Sequence, residues 1–173
     1  MPPNKSENPP SLLREATRAD HLILTEIDRA ASKAPWPAGV ILAELESPDT
    51  RTFLSLEPNE FRPVAFAMVS VTGDEARLIN IATRPDQQRQ GHAMALLARA
   101  REVALEHGAR YLKLEVRRSN QPAQGLYAGF GFVRIGVKPL YYIATREDAI
   151  AMILELAPRK GRLHRERNIG QHT

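Results

Sequence analysis

No cysteine occurs in the 173-residue chain. That absence excludes a disulfide framework, a thiolate metal site and a cysteine nucleophile, and it fits a reducing, cytoplasmic compartment. Long apolar runs are missing too. None approaches the ~18 residues needed to cross a bilayer, so the chain reads as a soluble protein without a membrane partner. Met1 to Pro10 contain no apolar stretch, and no secretory signal is expected there. Surplus charge is scarce once it is located. Residues 158–173 carry Arg159, Lys160, Arg162, Arg165 and Arg167 against Glu166, which accounts for the whole net charge of +4. The remaining chain is neutral overall, so the folded body is not expected to bind nucleic acid directly. The five histidines, at 21, 92, 107, 164 and 172, lack metal-ligand spacing, and no metal is expected.

With 43% hydrophobic and 25% charged residues, the length suits one domain with a sizeable core. Residues 1–11 are rich in Pro and Asn and read as a disordered segment. Residues 12–157 form the domain, and 158–173 a basic, disordered tail. Within the domain, Leu12–Thr17 reads as a strand. Leu22, Ile23, Ile27 and Ala30 recur at helical spacing over 18–32. Pro35-Trp36-Pro37 breaks the chain before a second helix at Ala38–Glu46. Strands follow at Thr52–Leu56, Pro63–Val71 and Ala76–Thr83, with Gly73-Asp74 as a hairpin turn. Ala93, Leu96, Leu97, Ala100, Val103 and Ala104 share a helical stripe that Gly108 closes. Tyr111–Val116 alternates as a strand, and Asn120 opens a short helix to Ala128. Phe130–Val137 and Ala149–Leu156 complete the pattern as strands. The order β-α-α-β-β-β-α-β-α-β-β predicts an α/β fold, a mixed sheet with helices on both faces.

The segment that carries most chemistry is Ile79 to Ala93, a strand, a short turn and a helix opening on Gln88-x-x-Gly91-x-Ala93. A helix start leaves four N–H groups unpaired and places about half a positive charge there, which suits a phosphate. Small residues at 91 and 93 let a pyrophosphate approach the backbone, and Arg89 adds a charge-assisted contact. The pattern is neither a dinucleotide-binding fingerprint nor a P-loop. Downstream lie Leu114-Glu115-Val116-Arg117, Ser119-Asn120, Ala123-x-x-Leu126-Tyr127, Gly131-Phe132, Tyr141-Tyr142 and Glu147-Asp148-Ala149.

In this order and spacing the elements resemble the GNAT superfamily of N-acetyltransferases. Within it they are similar to the ribosomal-protein-alanine type, which acetylates the N-terminal amine of a ribosomal protein; Pro35-Trp36 matches that subfamily's first helical region. The resemblance runs from about Leu12 to Leu156. It implies a sheet splayed at the site of acetyl-CoA, the co-substrate. The backbone of Ile81, Ala82 and Thr83 is then expected to hold the pantetheine arm and acetyl carbonyl. The turn through Arg89, Gln90, Gly91, His92, Ala93 and Met94 is expected to cradle the pyrophosphate, and Asn120 to hydrogen-bond the pantetheine. Glu115 matches the family's proton acceptor and Tyr127 its proton donor. His92 and Ala93 depart from the more usual aliphatic residue and Gly.

Plainer readings stand beside these. Glu115 between Lys113 and Arg117 also reads as a surface ion pair, Tyr127 as a core aromatic and Asn120 as a simple cap. The His92 imidazole reads as an exposed helix residue rather than a phosphate ligand. The implied activity is acetyl transfer to an amine, most specifically a protein N-terminus, by direct attack in a ternary complex. A lysine side chain or small amine is the alternative acceptor, and an acyl-CoA-binding regulatory domain is the non-enzyme alternative.

Overall fold

The computed structural model describes residues 11–156; the tail segments 1–10 and 157–173, with the disorder expected of them, lie outside the described residues. Seven strands form one sheet in the order β1-β2-β3-β4-β5-β7-β6. They are β1 (Leu12–Glu15), β2 (Thr50–Leu56), β3 (Pro63–Thr72), β4 (Glu75–Thr83), β5 (Tyr111–Arg117), β6 (Val133–Tyr142) and β7 (Glu147–Glu155). Four α-helices connect them: α1 (His21–Ala31), α2 (Ala38–Glu46), α3 (His92–Glu106) and α4 (Gln121–Phe130). All pairings are antiparallel except β4 with β5.

The alternation of side chains across the sheet divides the core in two. One face carries Phe53, Ala65, Ala67, Leu112 and Leu114, which pack under α3 and Tyr127 of α4. The other carries Leu54, Phe66 and Met68, which pack under Leu24 and Ile27 of α1 and Ile41 of α2. Helices on both faces are therefore what the pattern of elements predicted.

The largest departures from expectation are in β6, which was expected at Phe130–Val137 and spans Val133–Tyr142, and at the first helix, where Arg18–Asp20 form a 3-10 turn before α1. The strand predicted to start at Phe130 starts at Val133, because α4 runs on to Phe130. Gly131 then closes the helix at φ +119, with the Phe132 N–H donating to the Tyr127 carbonyl at 3.0 Å. Only glycine enters that conformation without strain. The apolar residues 130–132 thus belong to a helix end and its cap.

Candidate active site

Pairing between β4 and β5 covers only Glu75–Tyr111, Ala76–Leu112 and Arg77–Lys113. From Leu78 onward β4 has no ladder partner on that side among the described residues, while it stays paired to β3 as far as Thr83. A bulge lies at the parting point: Leu78 faces Val69 and Asn80 faces Met68, with Ile79 as the extra residue. Bulges bend a strand and raise its twist, which moves the end of β4 away from β5. The backbone groups freed along Leu78–Thr83 face a gap instead of a neighbouring strand.

Two cavities, of about 200 and 390 Å³, fill this gap and share Asp28, Ser32, Asn80, Ile81, Arg117 and Asn120. Glu115, Tyr127 and Tyr142 line the smaller one, and Ala82 the larger. The sheet's divergence therefore brings Glu115 and Tyr127, twelve residues apart in sequence, to one cleft. They reach it from different elements: Glu115 alternates with the buried Leu114 and Val116 on β5, and Tyr127 sits on α4.

Glu115 is an ion-paired residue, with partners other than its sequence neighbours. Its Oε1 accepts from Arg77 Nη1 at 2.9 Å and from Lys138 Nζ at 2.6 Å, and the side chain is 8% exposed. Lys113 pairs with Glu75, and Arg117 with Glu147. The pairing is thus neither with the expected residues nor at the open surface. Tyr127 is both core and cavity residue: it is buried and meets Phe132 edge-on at 5.9 Å. Burial pushes its hydroxyl well above the ordinary phenol range. Tyr142, missed in the sequence beyond its place in the resemblance, stacks its ring 4.0 Å under the Arg117 guanidinium and donates to the Glu115 carbonyl at 3.4 Å. Burial pushes its hydroxyl up to about 12.

The turn between β4 and α3 is built from strained backbone. Arg89 stands at φ +60 and Gly91 at φ +90; a non-glycine residue in this region costs roughly 1–2 kcal/mol. A Cβ placed at Gly91 meets nothing within 4 Å, so glycine here serves the conformation and leaves open space beside the helix start. The first intrahelical bond is Ala95 N–H to the Gly91 carbonyl at 3.0 Å, and no side chain caps α3 among the described residues. The N–H groups of His92, Ala93 and Met94 therefore remain for an anion. Thr83 and Arg89 to Met94 are not among the residues lining the two cavities; the Gln88 side-chain amide donates to the Thr83 carbonyl at 3.4 Å and ties the turn to the end of β4.

His92 corrects the expectation of an exposed ring. It is 4% exposed, and its Nδ1 is hydrogen-bonded to the buried Ser55 Oγ at 2.8 Å. Burial pushes its pKa down, against a smaller opposing effect of Glu57. The ring is anchored to β2 beneath the turn, and its backbone N–H is one of the groups left unpaired at the start of α3. Asn120 caps α4, its Oδ1 accepting the Ala123 N–H at 3.2 Å. Its amide nitrogen remains a donor toward the cavities it lines. Asp28 and Asn80 were not legible as site residues, because each looks like an ordinary polar position in an amphipathic element.

The site thus combines a split parallel pair, a turn with two residues at positive φ before an uncapped helix, and a carboxylate and a phenol at one cleft. The model of the Acetyltransferase (GNAT) family matches residues 20–132, and the chain belongs to that family: it is a GNAT N-acetyltransferase. A relative from Haemophilus ducreyi, named [ribosomal protein bS18]-alanine N-acetyltransferase, is 37% identical over 137 residues, covering 77% of this chain and 92% of its own. The crystal structure of the ribosomal-protein-S18-alanine N-acetyltransferase from Escherichia coli superposes with a TM-score of 0.79 at 31% identity, covering 90% of this chain and 99% of that one. The NatC complex bound to Gag peptide and CoA shares the fold, with a TM-score of 0.73 at 17% identity over 85% of this chain and 99% of that one.

Proposed function

We propose that this enzyme transfers the acetyl group of acetyl-CoA to the N-terminal α-amine of a protein, of the ribosomal-protein-alanine type, by direct attack in a ternary complex in the cytoplasm. The observation that carries the reading is the parting of β4 from β5, which sets Glu115 and Tyr127 on one cleft beside unpaired strand backbone. Two similar ribosomal-protein-alanine acetyltransferases, at 37% and 31% identity, support the choice of acceptor.

The roles of the residues follow from their chemistry. The N–H groups of His92 to Met94 and the Arg89 side chain receive the pyrophosphate. The free edge of Ile81 to Thr83 and the Asn120 amide hold the pantetheine and acetyl carbonyl. An α-amine has a pKa near ~7.7–8.0 and a lysine near ~10.4. The gap of roughly 2.5 units lowers the cost of reaching the neutral nucleophile by about 3.4 kcal/mol for an N-terminus. A weak base is then sufficient, which suits Glu115, a carboxylate already stabilised by Arg77 and Lys138. As sulfur departs, the Tyr127 hydroxyl faces a thiolate whose ordinary conjugate pKa is ~8.5. Its raised pKa makes full proton transfer uphill, so Tyr127 acts first as a hydrogen-bond donor to the charge building on sulfur. No enzyme-bound acetyl intermediate is required.

Release of CoA, together with mass spectrometry of the products, tests the acceptor. A lysine-free peptide with a free N-terminal Ala should be acetylated, and the same peptide blocked at its N-terminus but carrying an internal lysine should be a much poorer substrate. The reverse preference overturns the α-amine reading in favour of a lysine acceptor.

A further inference from the structure

The cleft holds two carboxylates in unlike surroundings. Glu115 is met by Arg77 at 2.9 Å and Lys138 at 2.6 Å. Asp28, in the last turn of α1, is 2% exposed and lines both cavities, yet no cation pairs with it among the described residues. Its Oδ2 accepts the Trp36 N–H at 2.7 Å; its Oδ1 has one long contact, from Asn80 Nδ2 at 3.5 Å. A carboxylate oxygen accepts two bonds readily, so Oδ1 keeps acceptor capacity. Burial, the largest influence on this carboxyl, raises its pKa against both hydrogen bonds. A buried, ionised carboxylate without a counter-charge is costly, and a cation arriving in the cavity relieves that cost.

We propose that Asp28 is the ammonium subsite of the acceptor: its Oδ1 receives the charged, free N-terminus before deprotonation. The inference rests on the α-amine reading above. At neutral pH an α-amine arrives mostly as the ammonium ion, which must leave water to enter the cleft. The charge of Glu115 is already offset twice. The other charged or titratable groups facing the cavities are Lys33 at the exposed end of α1, Arg117 on β5, Tyr142 on β6 and Tyr127 on α4. Arg117 is engaged with Glu147 at 3.3 Å and with the Tyr142 ring, and both tyrosine hydroxyls are held neutral. Asp28 is the anion left for a ligand cation to neutralise. The subsite also gives direction to turnover, because the acetylated product carries no charge there and leaves Asp28 unpaired.

Calorimetric titration tests this with the full chain saturated with CoA. The ligands are an N-terminal-Ala peptide and the same peptide already acetylated. The wild type should prefer the free peptide by on the order of tenfold at about pH 6.5, the size of one charge-assisted hydrogen bond. That preference should shrink as pH rises past ~8, where the amine loses its charge; among the described residues no histidine lines the cavities. Asp28→Asn keeps an oxygen for the Trp36 N–H and should abolish most of the preference, with CoA affinity unchanged. An Asp28→Asn protein that keeps the full preference overturns the subsite. So does one that binds both peptides equally worse, which assigns Asp28 to loop shape alone, and so does a wild-type preference that is flat with pH. Wild-type turnover of the free peptide, followed in parallel, reports on the acceptor: its absence overturns the α-amine reading and the subsite together, and its presence confines any failure to Asp28.

Discussion

Between Glu75 and Arg77, β4 is laddered to β3 on one side and β5 on the other; from Leu78 to Thr83 it is laddered to β3 alone. Each stretch sends residues into the core: Ala76 from the first, Leu78 and Ala82 from the second. What separates them is the bulge at Ile79 and the elements brought opposite the opening: α1 with Asp28, β5 with Glu115 and α4 with Tyr127. The closed half seals the core around Leu112, which is fully buried and paired with Ala76. The open half gives up ladder hydrogen bonds and gains a lined cleft. Stability and catalysis are thus assigned to consecutive stretches of one strand, and substitutions on the two sides of the parting point should be felt in different measurements.

The largest effect is expected at Tyr127. Tyr127→Phe should slow turnover by roughly 10²–10⁴-fold, the usual worth of a group acting on proton or charge transfer. Acetyl-CoA affinity should change little, because the hydroxyl acts on charge that exists only in the transition state. Steady-state kinetics beside calorimetry would show this, and near-normal turnover would leave Tyr127 as a core aromatic only.

Next comes Glu115. Glu115→Gln should lower the rate by on the order of 10²-fold near neutral pH, at the modest end for a general base. The deficit should narrow as pH rises beyond ~8, where the amine arrives already neutral. A pH–rate profile of both proteins checks this; parallel profiles would remove Glu115 from the deprotonation step and leave it as the ion-pair partner of Arg77 and Lys138.

The smallest effect on turnover belongs to the closed half. Leu112→Ala, at a position with 0% exposure, should cost about 2–5 kcal/mol of stability through lost burial and a residual cavity. Turnover per folded molecule should stay within about twofold, since no cavity-lining group is touched. Denaturant titration and activity at low temperature separate the two. A large loss of turnover in the folded variant would mean that the halves of β4 are mechanically coupled and would break the comparison.

Much of this was legible in the chain because it is written locally. Helical stripes, strand alternation, the Gly73 hairpin and the Gln88-to-Ala93 turn are short-range patterns, and most of their elements fall within a residue or two of expectation, β6 and the start of α1 excepted. The misplacement at Phe130–Phe132 arose because an apolar triplet suits a helix end as well as a strand, and only the Gly131 conformation distinguishes them. Glu115, Tyr127 and Asn120 were singled out through the family resemblance, and all three line the smaller cavity. The surroundings of those residues are long-range and were not legible. Arg77 lies 38 residues before Glu115 and Lys138 23 residues after it. Ser55 lies 37 residues from His92, which is why an imidazole expected at the surface lies beneath the turn.

By itself, the amino-acid order determined the elements, their succession along the chain and the family. It did so because backbone conformation and burial periodicity are decided within a few residues. The order of the strands within the sheet came from the tertiary structure. The tertiary structure alone decided where β4 leaves β5, which cations hold Glu115, how far Tyr127 is desolvated and that Asp28 faces the same cleft without a counter-charge among the described residues. Those are properties of distance and dielectric between segments tens of residues apart, and they exist only after the sheet has formed and parted.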